Sequence, residues 1–358
     1  MSGTGGAAGT GGAGGATVAC RPPADMTQPL PKLSQTGCMD AAAPTKFAAL
    51  AFPYDVNSPL WSDGADKTRA FVLPTGEKVH VKDCSATAEN CAGGTTDPDD
   101  GKWVFPVGTV MLKSFWFDGK VVETRLFVRH DASTWVGYSY AWTEDQSEAT
   151  IVANEGAQVM FKTGSRTVDW HYPSRDDCMK CHKATAGSTL GPETAQMNRM
   201  GAAGMNQVDQ LRQMGKLDGT PKTPYPALPT PYASQAGTPP TSATLDQLAR
   251  SYMHANCAFC HRPDDGDVHD TDLRFGTALA DAGFCGVAPA KTDLGVTGAV
   301  LIDPGKTATS LTWLRMQAAP DDSTGKHGRM PPVASFVTDQ KAVDLIGRWI
   351  MSMTTCPI

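Results

Sequence analysis

The sequence predicts an α+β protein of several domains, in which an N-terminal antiparallel β sandwich or barrel precedes mainly α-helical domains. Three observations predict this class. The 358 residues are enough for two or three domains of roughly 150 residues each. Apolar and polar residues alternate with a period of two in the first half, and short helical patterns replace that alternation after Cys178. Hydrophobic residues make up 41% and charged residues 19%, so a sizeable core can form.

Residues 1–19 contain almost only Gly, Ala, Thr and Ser, which is typical of a flexible tether. The tract lacks the basic and apolar regions of a signal peptide. Its position indicates the part that remains after a secretion or lipoprotein signal has been cut away. An ordinary disordered tail is the equal alternative.

Residues 20–172 are predicted to form the β-rich domain. Val79 and Val81 alternate with polar neighbours, as in a half-buried strand. Asp118-Gly119 separates two apolar runs and is a strong hairpin signal, because glycine accepts a positive φ. The stretches 134–142 and 157–162 add further strands.

The remainder of the chain is predicted to be helical around a linker. Residues 173–214 form a first segment, 215–243 a linker rich in Pro and Gly, and 244–358 a second domain. In that domain apolar residues recur every three to four positions from Leu245 to Ala255 and again from Val343 to Ile350. Thr338 is the candidate cap of the closing helix.

Two pentapeptides carry the chemistry: CMKCH at residues 178–182 and CAFCH at residues 257–261. C-x-x-C-H is the attachment signal of c-type haem. Two thiols one helical turn apart can each add to a porphyrin vinyl group, and the histidine that follows lies beneath the iron. The sequence therefore predicts two covalently bound haem c groups. Their predicted attachment residues and proximal ligands are Cys178, Cys181, Cys257, Cys260, His182 and His261.

Two alternatives fit less well. A Cys₄ zinc site has about 15–20 residues between its C-x-x-C pairs, whereas 75 residues separate Cys181 from Cys257. A thioredoxin-type C-x-x-C needs a βαβ context, which this chain lacks. The motifs instead predict an iron-containing, metal-binding protein with cytochrome c-like domains.

The distal ligands are less clearly marked. Met330, on the Pro-stiffened stretch 328–332, is predicted to be the sixth ligand of the second haem, against the alternative of an ordinary core or surface methionine. For the first haem, His254 is either a ligand or a solvated surface residue, and an iron without a strong sixth ligand is the further alternative. Arg315 is either the partner of a haem propionate or a surface arginine. Met197 and Met200 fit helix packing better than ligation.

Six further cysteines allow 15 pairings. The cost of loop closure favours Cys84 with Cys91 and Cys20 with Cys38, which leaves Cys285 with Cys356. An even number of cysteines and c-type haems both indicate an oxidising compartment outside the cytoplasm. We therefore expect a periplasmic or cell-surface protein.

Charge and hydropathy exclude other classes. The net charge is −6 without a Lys/Arg run, so nucleic acid is not an expected partner. No stretch approaches 18 consecutive apolar residues, so the only membrane association we expect is a lipid anchor on a segment already removed. The Asp-rich stretches 97–100 and 264–272 do not match a calcium loop and indicate solvated turns.

The sequence also resembles a family of exported bacterial dihaem c-type proteins, known mainly as uncharacterised cytochromes. The matching stretches are KLSQTG (32–37), YDVNSPLWSDG (54–64), FPVGT (105–109), ETRL (123–126), PSRDD (173–177) and YMHANCA (252–258). The resemblance spans roughly residues 30–353 and implies a β-rich N-terminal domain and two haem-binding segments, without an established substrate. Met197 replaces the leucine usual in the family, which makes it a poor ligand candidate. Cys38 replaces an apolar residue, which supports a local disulfide. The FPVGT pattern also looks like that of mono-haem cytochromes acting on small nitrogen compounds.

Two functions follow. The first is electron transfer through the two haems, between a redox partner protein and an extracellular electron acceptor. The alternative is a dihaem oxidoreductase, peroxidase-like or acting on a small substrate, in which one haem keeps an open site. The sequence names no distal acid–base pair of the kind that peroxide chemistry needs, which favours electron transfer.

Overall fold

The computed structural model describes residues 20–21, 23–82, 102–164, 166–219, 221, 223–232, 243–263, 271–320, 328–332 and 335–357. Its strands are β1 (Met39–Asp40), β2 (Ala43–Phe47), β3 (Phe52–Tyr54), β4 (Asp66–Val72), β5 (Val79–Lys82), β6 (Lys102–Val104), β7 (Val110–Phe117), β8 (Lys120–Arg129), β9 (Trp135–Trp142), β10 (Ala149–Ile151), β11 (Ala157–Thr163), β12 (Arg166–Tyr172) and β13 (Leu217–Asp218). Its helices are α1 (Arg175–Cys181), α2 (Thr194–Met197), α3 (Gln207–Gln213), α4 (Leu245–Asn256), α5 (Leu311–Gln317) and α6 (Gln340–Ser352).

The predicted fold class is wrong. The structure is mostly β, with 26% strand in four sheets and only 21% helix in six helices within the described residues. The expected mainly α-helical, cytochrome c-like domain is absent from the part of the chain that the structure describes. Among the residues described between α4 and α6, only α5 and a single 3₁₀ turn are helical. Glycines with positive φ, such as Gly283, Gly286 and Gly295, interrupt the backbone there.

The main sheet has six antiparallel strands in the order β10-β9-β8-β7-β4-β3. Its central hairpin, β7–β8, turns at Asp118 and Gly119, whose φ angles of 47° and 79° are both positive. The two-residue hairpin predicted from Asp118-Gly119 is therefore confirmed. Two two-stranded sheets, β1–β2 and β11–β12, and one three-stranded sheet of β13, β5 and β6 complete the β structure.

The two faces of the main sheet pack against different parts of the chain. One face presents Val110, Leu112 and Val128 to a core that includes the Cys20–Cys38 disulfide. The other face presents Phe71, Met111 and Phe127 at one end, where Met197 and Leu211 of α2 and α3 join the core. The segment that follows the first C-x-x-C-H motif is thus packed onto the β structure.

The other end of that second face forms a separate core. Phe115 and Phe117 of β7 pack there against Trp170 and Tyr172 of β12. Between this core and the one around Phe71 lies a row of polar side chains. An elongated gap therefore separates two apolar regions on one face of the sheet.

The C-terminal part has its own core, built from two predicted helices. Helix α4 packs its residues Leu248 and Tyr252 against Ile346 and Trp349 of α6. The side chain of Asp339, rather than the expected Thr338, caps α6 by accepting a hydrogen bond from the Ala342 backbone N–H at 3.2 Å. None of the described helices is long and apolar enough to cross a membrane.

Both disulfides predicted within the described residues are confirmed. Cys20 pairs with Cys38, and Cys285 pairs with Cys356. The second bond joins the chain just beyond α6 to the loop that follows α4. The predicted pair Cys84–Cys91 lies outside the described residues.

Candidate functional site

The first C-x-x-C-H motif lies at the end of a short, well-capped helix. Ser174 accepts a hydrogen bond from the Asp177 backbone N–H at 3.0 Å, and the Asp177 carboxylate accepts one from the Ser174 N–H. This capping box fixes the start of α1. Cys178 and Cys181 therefore lie one helical turn apart, and His182 occupies the C-cap position.

The second motif begins where α4 ends, with Cys257 at the C-cap position. The two motifs touch, although 74 residues separate them in sequence. The Cys260 thiol donates a weak hydrogen bond to the Lys180 backbone carbonyl at 3.6 Å. None of the four motif cysteines forms a disulfide. The fold thus brings all four thiols to one region of the molecule.

A cavity of about 670 Å³ lies beside the first motif. Its volume falls within the range of about 300–1,000 Å³ that is typical of cofactor and ligand sites. Cys178, Cys181 and His182 line it, as do His254 and Phe259 from the region of the second motif. Both motif regions therefore contribute walls to one site.

The histidine of the first motif is held in the orientation that a metal-ligating imidazole usually has. Its Nδ1 lies 2.6 Å from the Ser188 carbonyl oxygen, and its ring packs on Phe127 with the centroids 4.1 Å apart. A carbonyl only accepts, so Nδ1 donates and the lone pair of His182 is on Nε2. Burial lowers the pKa of His182 to about 4, which keeps the ring neutral.

The histidine of the second motif is oriented in a similar way. His261 Nδ1 lies 3.0 Å from the Thr271 hydroxyl oxygen, and the Leu273 backbone N–H donates to the His261 carbonyl at 3.0 Å. Residues 264–270, which connect these groups, lie outside the described residues.

The four motif thiols are partly buried. Burial raises the pKa of Cys181 and of Cys257 to about 12 each, and it also raises the pKa of Cys178. These three side chains are therefore neutral thiols rather than reactive thiolates. Cys178 also packs closely on β9, where a Cβ added to Gly137 would lie 2.8 Å from the Cys178 Sγ.

A cross-strand row that runs through five of the six strands of the main sheet forms a wall of the cavity. Register pairs join neighbouring strands in the order Tyr54, Arg69, Lys113, Arg125 and Ser139, and all five residues line the cavity. Three adjacent members of this row carry positive charge. Like charges directly opposite each other destabilise a sheet, so this arrangement favours a functional role.

The outer two cations of the row have carboxylate partners. Arg69 donates to Asp55 at 2.8 Å, and Arg125 forms a bidentate pair with Glu123 at 2.7 and 2.8 Å. The central cation, Lys113, has the Phe115 ring 5.3 Å away and no carboxylate partner among the described residues. Burial and the neighbouring cations lower the pKa of Lys113 well below its usual value.

His254, a predicted ligand, lines the cavity with both ring nitrogens already engaged. The Phe275 backbone N–H donates to Nδ1 at 3.0 Å. Nε2 therefore carries the proton and donates to the Glu193 carboxylate at 2.8 Å. Glu193 lines the same cavity. His254 can bind iron only after giving up one of these hydrogen bonds.

Met330 and Arg315 lie together, and neither is among the residues that line the cavity, although Pro332 of the same loop is. Arg315 donates to the Gly328 carbonyl at 2.7 Å and to the Thr292 carbonyl at 2.9 Å, and the Met330 N–H donates to the Arg315 carbonyl at 3.1 Å. Arg315 thus anchors the loop that carries Met330. The role of Met330 as an axial ligand and the pairing of Arg315 with a propionate stay predictions.

The expectation of a metal-binding, cytochrome c-like protein needs correction. In the part of the chain that the structure describes, no group of three or more His, Cys, Asp or Glu side chains is placed to hold a metal ion. The described residues therefore show neither a metal-binding group of protein side chains nor a cytochrome-like fold, so the expectation of a metal-binding, cytochrome c-like protein is wrong for them. The observed donor set does fit a porphyrin attached through thiols, since it offers paired thiols, an oriented imidazole and an adjoining cavity.

Sequence reasoning missed the Glu193 carboxylate and the cationic row. Lys113 and Arg125 occur at alternating polar positions of two predicted strands, so their location on one face could have been inferred. Their position directly opposite each other depends on the register. No known family, curated protein or solved structure matches this chain.

Proposed function

We propose that this chain binds two haem c groups covalently and transfers electrons through them. The observation that carries the proposal is the contact between the two C-x-x-C-H motifs, at the Cys260 thiol and the Lys180 carbonyl. The attachment sites of the two haems are therefore close together in the fold. One haem would be attached at Cys178 and Cys181, and the other at Cys257 and Cys260. Such proximity is what electron exchange within one chain needs.

The chain's own contribution is attachment and orientation. The capped helix α1 sets the spacing of Cys178 and Cys181, and the Ser188 carbonyl directs Nε2 of His182 away from the backbone. When bound, the haem iron supplies the one-electron chemistry.

The proposed setting is outside the cytoplasm, in the periplasm or at the cell surface. The two disulfides support it, because such bonds persist in oxidising compartments. The expected partners are a redox protein as donor and an extracellular acceptor.

The test is the oxidation of the fully reduced, mature protein by a limiting amount of a soluble Fe(III) chelate, followed by optical spectroscopy. We expect the oxidised fraction of each haem to match, immediately after mixing, the fraction that its own midpoint potential gives at equilibrium, because the haems exchange electrons faster than the chelate reacts. A slow redistribution of electrons between the two haems after the chelate is exhausted contradicts the proposal. Low-temperature EPR of the oxidised protein identifies the spin state of each haem.

A second function, a dihaem oxidoreductase with one open site, is favoured by the His254–Glu193 pair. Reduction of hydrogen peroxide to two waters consumes two protons and two electrons. The Glu193 carboxyl and the His254 imidazole form a hydrogen-bonded acid–base pair on the cavity wall, and a redox partner is the electron source.

Titration with cyanide, carbon monoxide and peroxide separates the two functions. Electron transfer predicts slow or absent binding of these ligands. Rapid stoichiometric binding at one haem, with peroxide turnover that Glu193→Gln lowers at least tenfold, supports the oxidoreductase instead.

A further inference from the structure

We propose that the cavity row Tyr54, Arg69, Lys113, Arg125 and Ser139 is a binding site for a carboxylate or a small oxyanion. The anion comes either from a haem propionate or from a free small ligand. In the first case the inference rests on the proposed function, whereas in the second it does not.

The charge of the whole cavity supports an anionic ligand. Among the described residues that line it, seven are lysine or arginine and three are aspartate or glutamate. The chain as a whole has the opposite balance, with a net charge of −6. Positive charge is therefore concentrated at this site, against the average of the molecule.

The register of the sheet places the three basic side chains directly opposite one another on neighbouring strands. Arg69, Lys113 and Arg125 occupy directly paired positions on β4, β7 and β8. Side chains paired in this way have Cβ atoms roughly 5 Å apart, and like charges at this spacing destabilise the sheet. An anion bound between them turns this repulsion into attraction.

The central residue of the row is the one that lacks a partner. Asp55 neutralises Arg69, and Glu123 neutralises Arg125, with a further hydrogen bond from the Trp170 Nε1 to Glu123 at 3.0 Å. Lys113 lies between these two pairs, and no described acceptor binds its Nζ. The side chain of Lys113 is partly exposed where it lines the cavity. A carboxylate or oxyanion in the cavity would accept a charge-assisted hydrogen bond from its ammonium group.

Neutral groups at the two ends of the row complete the site. Tyr54 keeps its hydroxyl proton, because burial raises its pKa to about 12. Ser139 contributes a second hydroxyl. The row thus presents hydroxyl donors on either side of three cations, which is suited to an acceptor-only ligand.

The experiment compares Lys113→Met with Lys67→Met in the mature protein. Lys67 lies on the same sheet face in the neighbouring row, pairs with Phe115 across the strands, and does not line the cavity. Nitrate and acetate serve as probes in isothermal titration calorimetry. For a free anion, we expect one site per chain, an affinity that Lys113→Met lowers at least tenfold, and a Lys67→Met variant within twofold of wild type.

For a haem propionate, the expected result is different. The wild-type protein then binds neither probe at the row, and Lys113→Met lowers the midpoint potential of one haem by more than Lys67→Met does. The potential falls because loss of a nearby cation favours the oxidised iron. Lys113→Arg preserves the charge and restores the wild-type behaviour in both cases.

The inference is overturned if wild type binds no probe and Lys113→Met changes neither potential more than the control variant does. Probe binding that persists unchanged in Lys113→Met also overturns it. Where Lys113→Met does not fold, Lys113→Gln replaces it. Intact mass of the same samples counts the haems, so failure of the proposed function is recognised independently of failure of this inference.

Discussion

At the scale of single residues, the close packing around the first motif is the most informative feature. The Cys178 sulfur packs directly against β9. Only glycine at position 137 leaves space for it, because a Cβ there would lie 2.8 Å from the Cys178 Sγ. His182 is fixed from two sides, by the Ser188 carbonyl and the Phe127 ring. The sequence predicted the identity of the motif residues but not these supporting contacts, which come from strands far away in sequence.

Gly137→Ala is therefore expected to disturb the first motif. Its Cβ would lie 2.8 Å from the Cys178 Sγ, and such overpacking costs about 1–3 kcal/mol of stability. We expect a lower free energy of unfolding and a smaller fraction of chains that carry two haems, measured by urea denaturation and intact mass. Gly276→Ala is the control, because its Cβ meets nothing within 4 Å although Gly276 also lines the cavity. Equal haem content and stability in both variants would contradict this account of the packing.

Lys67 predicts a pH dependence of stability. Burial lowers the pKa of Lys67 from 10.5 to about 8. Between about pH 8 and 10.5 the unfolded chain thus binds more protons at this site than the folded chain, so stability rises with pH. The shift corresponds to at most about 3 kcal/mol.

Lys67→Met removes this contribution. Denaturation of both proteins from pH 7 to pH 10 should show a gain in stability with pH that is smaller in Lys67→Met than in wild type. Parallel profiles for the two proteins would show that the folded environment does not perturb this ammonium group.

At the scale of secondary-structure elements, individual helices and hairpins were predicted more accurately than the fold class. The β7–β8 hairpin, α4 and α6 occur where Asp118-Gly119, Leu245–Ala255 and Val343–Ile350 indicated them. The residues between α4 and α6 form mostly irregular structure, because glycines with positive φ break the backbone into turns. The helical spacing at the two ends of residues 244–358 predicts a mainly helical domain, but the structure confirms helices at those two ends and not a helical domain between them.

The disulfides partly compensate for this lack of regular structure. Cys285 and Cys356 are 71 residues apart and connect the irregular segment to the end of α6, whereas Cys20 and Cys38 are 18 apart. The chain-entropy model gives about 4 kcal/mol for the longer loop and about 3 kcal/mol for the shorter one.

The double variant Cys285→Ser with Cys356→Ser should therefore lower the free energy of unfolding by more than Cys20→Ser with Cys38→Ser does. Denaturant titration of the two variants, both checked for haem content, measures the difference. The opposite order would indicate that strain or residual structure outweighs the loop entropy.

At the scale of the whole molecule, the fold brings the two C-x-x-C-H motifs, which are far apart in the sequence, into contact. The chain between the two motifs packs α2 and α3 onto the β structure and then returns through α4. Two stretches 74 residues apart thereby meet at Cys260 and Lys180. The motifs alone predicted two attachment sites, but their contact and the cationic row depend on long-range packing and strand register, which no local pattern encodes.

The number of haems attached to the mature chain, measured by intact mass after acid–acetone extraction, tests the central claim most directly. We predict two covalently bound haems in wild type. One haem is expected in Cys178→Ala with Cys181→Ala, and one in Cys257→Ala with Cys260→Ala. Release of the haem by the extraction, or fewer than two haems on fully matured wild-type chains, would contradict the account.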